Sequence, residues 1–283
     1  MRYLSKKPYI LKEKIYFIGL LLIICAFRLI KIQYFQPKNA IPVPPIAQEE
    51  VENFIAEEIP PEPIPKKTEK SVFAVKEILN DNLEYKAFLT FDDGPSSNTE
   101  KILEVLNKYD IKATFFLVGT MAESQRDLVK KIHKSGHSIG NHSYSHNVRY
   151  KNFSPEYFVN DIKRNDALLK DILGKDFKTN LVRFPGGSFN LNSYKASLKS
   201  SGFEDINWNL SNGDTSAIKV PKSALLNNIY KETEDLNNIK NGHNLVILMH
   251  DLSPKDTTVE ALPEVIEFLQ KRGYKFCAIS ERN

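Results

Sequence analysis

From Ser71 onward the chain alternates short apolar runs with stretches of helical period, and that rhythm narrows the folds open to it more than any other feature. The apolar runs predict strands over 86–91, 113–118, 138–140, 180–184, 206–210, 244–249 and 276–279. The spacing between them predicts helices over 99–108, 127–134, 155–173, 193–200, 222–233 and 259–271. Ser154-Pro155-Glu156 opens one of these well, with a capping hydroxyl, a proline in the first turn and an acid at the positive end of the helix dipole. Lys134-Ser135-Gly136 and Lys271-Arg272-Gly273 are stop signals. Strands alternating with helices imply an α/β architecture, a parallel sheet covered by helices. About seven such units fit a distorted (β/α) barrel better than a short open sheet, and in barrels the chemistry gathers where strands end and loops begin.

Upstream of this region the composition changes twice. Residues 1–14 are basic, with Arg2, Lys6, Lys7, Lys12 and Lys14 against Glu13. Residues 15–27 carry no charge, and Leu29, Ile30 and Ile32 extend the apolar run to about residue 35 past Arg28 and Lys31, whose stems can snorkel. Such a run approaches the ~20 residues a membrane span needs. The basic flank predicts a cytoplasmic tail, a signal-anchor helix over 15–35 and everything after it outside the cell. A cleaved or lipidated signal is the rival reading, though no small-residue cleavage site follows and Ile24 precedes Cys25. Residues 36–70 are rich in proline and glutamate and read as an extended spacer. The domain expected to fold is therefore 71–283.

Hydrophobic residues make up 41% of the chain, ample for a core, and a formal net charge of +4 is too small to argue for nucleic acid. The two cysteines, Cys25 and Cys277, exclude a disulfide-stapled scaffold.

Chemistry concentrates in two places. Asp92 and Asp93 sit at the end of the first predicted strand, and His142 and His146 follow the third. Were the histidine segment one helical turn, both imidazoles would share a face. One carboxylate and two imidazoles suit zinc and leave a coordination position for water, with the second carboxylate placed to take a proton from it. This is the skeleton of a metal-dependent hydrolase. His133 and His137 are also four apart, but a turn at Gly136 separates them and both read as structural; His243 and Asp251 carry no role.

Thr90-Phe91-Asp92-Asp93-Gly94-Pro95, Gly140-Asn141-His142-Ser143-Tyr144-Ser145-His146, Arg183-Phe184-Pro185-Gly186-Gly187 and Leu248-Met249-His250-Asp251 together resemble the ordered motifs of the NodB-type polysaccharide deacetylases, carbohydrate esterase family four. The resemblance spans about residues 86–280. It implies the NodB-type distorted (β/α) barrel and one divalent metal, usually zinc, with cobalt, nickel or manganese as alternatives. By position, Asp93, His142 and His146 would be the metal ligands, Asp92 the general base and His250 the acid that protonates the leaving amine. Arg183 would lie against the base, and Asp214 would orient His250. Pro185, Gly186, Trp208 and Leu248 would line the substrate groove, the N–H after Pro185 helping to hold the oxyanion. A single tryptophan on a predicted strand is more often core packing, which is the competing reading of Trp208. Two positions depart from the family's pattern: Thr215 follows Asp214 where an aromatic is usual, and Gly186-Gly187 stands where Tyr-Gly is more common.

The chemistry asks for these residue types independently. Amide hydrolysis passes through a tetrahedral oxyanion that a cation stabilises, and a sugar amine leaves only when protonated. The resemblance implies a metal-dependent hydrolase removing N-acetyl groups from amino-sugar polymers, with N-acetylglucosamine of peptidoglycan as the expected substrate. N-acetylmuramic acid, chitin oligomers, exopolysaccharide and acetylxylan are alternatives of the same class. Expected partners are an acetylated cell-wall glycan and, through the N-terminal helix, the cell membrane, with the protein a monomer. An inactive glycan-binding protein and a structural wall tether are the readings from other classes.

Overall fold

The run Lys86–Asp92 is buried along all but its first residue, which a strand sustains only inside a sheet covered on both faces. It forms β1, the centre of the fold. The computed structural model describes residues 85–237 and 244–279, so the tail, apolar run and spacer expected over 1–14, 15–35 and 36–70 lie outside the described residues. Among the described residues no helix is long and apolar enough to cross a membrane.

Chain order is β1, α1 (Ser97–Lys108), β2 (Thr114–Leu117), α2 (Gly119–Ser124), α3 (Arg126–Lys134), β3 (Ser138–Asn141), α4 (Pro155–Leu173), β4 (Leu181–Val182), α5 (Asn192–Ser200), β5 (Glu204–Asp205), β6 (Leu210–Ser211), α6 (Lys222–Asn237), β7 (Leu245–His250), α7 (Asp256–Lys271) and β8 (Lys275–Phe276). Every pairing is parallel, and the spatial order is β5-β4-β3-β2-β1-β7-β6, with β8 joining the start of β1. The strands curl into a barrel whose path ends at β5 on one side and β6 on the other. This is the distorted (β/α) barrel expected, with short strands.

Alternation along β1 divides the core. Ala87, Leu89 and Phe91 face outward and pack with Ile102 and Leu106 of α1 and Leu262, Val265 and Ile266 of α7. Phe88 faces the barrel interior with Phe116, Leu181, Ile206, Val246 and Ile279. The helix signals act as expected: Ser154 Oγ accepts from the Tyr157 N–H at 3.3 Å, and Gly136 and Gly273 take positive φ past the ends of α3 and α7.

Two strand expectations need correction. Residues 206–209 form no strand, although Ile206 is buried as the apolar pattern required. The segment crosses the opening of the barrel: the Ile206 N–H donates to Val182 O at 2.8 Å, whereas the Asn209 N–H donates to Val246 O at 3.2 Å. A chain that changes neighbours within four residues cannot run a ladder with either. The final strand lies at Lys275–Phe276, and Ile279 instead plugs the interior, its N–H donating to Thr114 Oγ1 at 2.9 Å. Helix α2 carries no sequence signal long enough to have been expected.

Gly140 on β3 is a close-approach glycine: a Cβ there would lie 2.4 Å from Phe116 Cδ1 and 3.3 Å from the Leu181 carbonyl. Gly140→Ala should cost about 1–3 kcal/mol through overpacking, read as a lowered urea midpoint at unchanged m-value.

Candidate active site

Parallel register places the chemistry. Asp92, the last residue of β1, pairs with His250, the last of β7, so the expected base and acid lie side by side where two strands end. Asp93 then turns out of the strand at φ 75°. Gly94 follows because nothing larger fits: a Cβ there would lie 2.1 Å from Asp251 Oδ2.

His142 and His146 converge on Asp93, but by a different route from a helical turn. Residues 142–149 contain no helix, and Ser143 and His146 both adopt positive φ. Local caps hold this loop: Asn141 Oδ1 accepts from the Ser143 N–H at 2.9 Å, and Ser143 Oγ accepts from the His146 N–H at 3.0 Å. The first N–H groups of α2 anchor it from outside, Gly119 to Ser143 O at 2.9 Å and Thr120 to Tyr144 O at 3.0 Å. From α4, the Asn165 amide reaches Leu117 O, Asn141 Oδ1 and Ser143 O at 2.9 to 3.0 Å.

The three donors fit a divalent cation. Asp93, His142 and His146 each offer one atom, and these atoms lie within 4.8 Å of one another. Asp93 Oδ1 is 3.4 Å from His142 Nε2 and 3.0 Å from His146 Nε2, yet it is buried and makes no well-aligned hydrogen bond. Burial pushes Asp93 up, but the two imidazoles beside it hold it well below the usual carboxylate range, and burial's downward pull on His146 is outweighed by Asp93, which raises it. Both imidazoles aim Nε2 at Asp93 Oδ1, so the three donor atoms converge on one point. His142 supports this directly. Its Nδ1 lies 2.8 Å from the Arg183 carbonyl, which can only accept, so Nδ1 carries a proton and Nε2 is the atom left facing Asp93.

Arg183 has no exposure to water. Its Nη1 donates to Asp92 Oδ1 at 2.9 Å and Thr90 Oγ1 at 2.7 Å, its Nε to Ile206 O at 2.9 Å and its Nη2 to Asn207 O at 3.4 Å. Burial lowers its pKa, and the neighbouring Asp92 opposes that fall. The guanidinium also lies 4.2 Å from the Phe116 ring centroid.

His250 is held twice by Asp214: Nδ1 lies 2.8 Å from Oδ1, and the backbone N–H donates to Oδ2 at 2.9 Å. Thr258 Oγ1 donates to Oδ2 at 2.8 Å. Burial lowers the imidazole pKa, but the bond and charge of Asp214, with Asp92 and Asp93, raise it to about 9.

Of the other expected site residues, Leu248 is buried on β7 two residues before His250, in register with Thr90, and Pro185 is buried ahead of an exposed Gly186. Trp208 is half-buried, packing against the interior cluster while its ring centroid lies 5.6 Å from the Arg183 guanidinium. Thr215 is exposed in a 3-10 turn that begins at Asp214. His137 is structural, its Nδ1 accepting from the Ala113 N–H at 3.1 Å and burial lowering its pKa to about 4; His133 packs edge-on against Phe177. His243 lies outside the described residues.

Two supporting residues escaped sequence reasoning. Asn165 interrupts the apolar stripe Phe158, Ile162, Leu169, Ile172 of α4, and a polar residue on such a stripe is the signal that flags it. Asp251 is fully buried, accepts from Thr99 Oγ1 at 2.5 Å and packs on Gly94; burial, with the charges of Asp93 and Asp92, raises its pKa to about 7. Nothing local to Asp251 in the sequence signals this.

The sequence profile of the polysaccharide deacetylase family matches residues 79–205. Over 201 residues the chain is 37% identical to a peptidoglycan-N-acetylglucosamine deacetylase of Bacillus cereus, covering 70% of each chain. The chain belongs to the polysaccharide deacetylase family. It is also 35% identical over 198 residues to a putative polysaccharide deacetylase of Bacillus subtilis, covering 69% of this chain and 67% of that one. Among solved structures, this deacetylase superposes on a CE4 esterase of Streptococcus mutans with a TM-score of 0.65 and 32% identity, covering 72% of this chain and 89% of the other. A polysaccharide deacetylase of Bacillus cereus gives a TM-score of 0.61 at 35% identity, covering 70% and 93%.

Arg183→Met keeps bulk and strands Asp92 as a buried unpaired charge. It should destabilise the deacetylase by about 3–5 kcal/mol, measured by urea unfolding.

Proposed function

We propose that this deacetylase is a metal-dependent hydrolase that removes N-acetyl groups from amino-sugar polymers, with N-acetylglucosamine of peptidoglycan as its substrate. The observation that carries the reading is the convergence of the Asp93, His142 and His146 donors beside an Asp92–His250 pair in strand register. The curated relatives named as peptidoglycan-N-acetylglucosamine deacetylases support the choice of substrate.

The chemistry a divalent cation supplies at such a donor set, zinc by ligand type, is Lewis-acid polarisation of the acetamide carbonyl and of a water. Asp92, fixed by Arg183, takes a proton from the attacking water as its oxygen adds to the acetyl carbon. The N–H of Gly186, on the turn after Pro185, is the protein donor to the oxyanion. His250, oriented by Asp214 through Nδ1, gives its Nε2 proton to the sugar nitrogen as the C–N bond breaks, leaving acetate and a free amine. Leu248 and Trp208 line the acetyl and sugar side of the groove. The basic, apolar and Pro/Glu-rich segments over 1–70 support a placement in which an N-terminal anchor and spacer hold a monomeric domain on the outer face of the cell membrane.

Acetate release by the full chain from intact peptidoglycan tests this reading, with zinc and after chelation. Chelation should abolish release, and Asp92→Asn should lower kcat by about 10²–10⁴ with metal content unchanged. Release from chitin oligomers, exopolysaccharide, acetylxylan or muramic acid units instead would move the substrate. A chain that binds glycan but releases nothing would be an inactive binding protein.

The pH profile tests the acid separately. His250 must carry its proton to act, and Asp214 holds that proton on through neutral pH. Asp214→Asn removes the largest upward pull and leaves the downward pull of burial. The alkaline limb of kcat/KM should therefore move to lower pH; an unmoved limb would remove Asp214 from this role.

A further inference from the structure

Large apolar side chains left in water are unevenly distributed over the surface. Among the described residues six are exposed, and only Tyr85 lies at the start of β1. Val148, Phe153, Tyr157, Phe189 and Ile218 all lie on the segments that follow β3, β4 and β6, the end of the barrel that carries Asp92 and His250. Exposed aromatic side chains at the end of a domain that carries its reacting groups point to a binding surface there.

Phe189 is the member tied most directly to the site. It is 58% exposed, and its ring meets Trp208 edge-to-face, with centroids 5.6 Å apart. Trp208 in turn lies 5.6 Å from the Arg183 guanidinium that holds Asp92. Phe189 thus stands at the flank of the reacting groups, linked to the base through Trp208 and Arg183. The backbone is shaped to keep it there. Gly187 has φ 81°, and a Cβ on it would lie 2.8 Å from Phe189 Cε2 and 3.0 Å from Trp208 Cη2. Beside it Gly186 is open, with nothing within 4 Å of where its Cβ would be. Ser188, between Gly187 and Phe189, is buried, Oγ donating to Asp205 Oδ2 at 2.5 Å.

The neighbouring aromatics belong to the same surface. Phe153 and Tyr157 stack at 4.4 Å with 23° between their planes. Their loop is fastened to the one bearing Phe189: the Tyr150 hydroxyl donates to Gly187 O at 3.4 Å, and the Tyr194 hydroxyl of α5 donates to Phe153 O at 2.6 Å. Such rings are preorganised by the barrel and cost little to order on binding.

We propose that Phe189, supported by the Phe153–Tyr157 pair, stacks on pyranose rings of the glycan outside the residue being deacetylated, so that this face binds a polymer and not a lone sugar. This rests on the reading of the site as one for acetylated amino-sugar polymers. The axial C–H bonds of a pyranose present a positive, apolar face, which suits the negative face of an aromatic ring. Binding energy from such remote rings is what lets a hydrolase position the reacting sugar.

The single tryptophan of the chain is Trp208, so its fluorescence reports sugar binding beside Phe189 in the full-length protein. Titration with a hexasaccharide of N-acetylglucosamine should change that emission. Phe189→Ala should weaken Kd by roughly three- to tenfold, and Phe189→Tyr should restore it. Phe153→Ala/Tyr157→Ala should weaken it further, and KM on the hexasaccharide should rise in parallel. Equal Kd for Phe189→Ala and the parent, or no binding by the parent, overturns the proposal. Phe189-dependent binding without acetate release supports it and overturns the deacetylation reading instead. Phe189 is exposed, so loss of fold is not expected, and circular dichroism checks that.

Discussion

A guanidinium with no contact with water stands at the centre of this protein. Taking an arginine out of water is unfavourable by several kcal/mol unless its donors and charge are matched. Arg183 is matched from four directions: the carboxylate of Asp92, the hydroxyl of Thr90, and the carbonyls of Ile206 and Asn207. Those carbonyls belong to the segment that bridges the opening between β5 and β6, where no strand partner satisfies them. The arginine therefore does two jobs with one group: it completes the hydrogen bonding of an open barrel and fixes the carboxylate at the end of β1. Its own carbonyl then sets the ring of His142. The Asp92 carboxylate, the His142 imidazole and the closure of the barrel all depend on one residue.

Around that centre the backbone departs from ordinary conformations where the chemistry lies. Asp93, Ser143 and His146 are non-glycine residues at positive φ, and all three belong to the donor cluster or the loop that builds it. Such conformations persist only when surrounding contacts over-determine them. Here the contacts are the side-chain caps of Asn141 and Ser143, the amide of Asn165 and the first N–H groups of α2. Asp251 wedges beneath the turn at Gly94 on the other side. The donors are held by a frame of buried polar groups more than by the strands themselves.

Much of the barrel was legible because its signals are local. The apolar period of β1 and β7, the Ser154-Pro155 start of α4 and the glycine stops after α3 and α7 depend on neighbours in the chain, and each acts where it was expected. The run 206–210 misled for the opposite reason. Ile206 is buried as a strand residue would be, but whether it pairs depends on the distance between β4 and β7, which no local pattern encodes.

The same division holds for the site. The sequence by itself determined the residue types and their order: two carboxylates at a strand end, two histidines four apart, an arginine, and a histidine at the end of a later strand. Those motifs are short, and their meaning is chemical, so they survive without a fold. Only the tertiary structure decided how they meet. The histidines share a target through a capped loop and not through a helix face, because Gly119 and Asn165 bring α2 and α4 against that loop. Asp251 became a buried wedge, and Phe189 an exposed aromatic on the flank of the site, through residues far away in the chain. Burial, alignment and charge at each of these groups are sums over long-range neighbours, and those sums exist only once the barrel has closed.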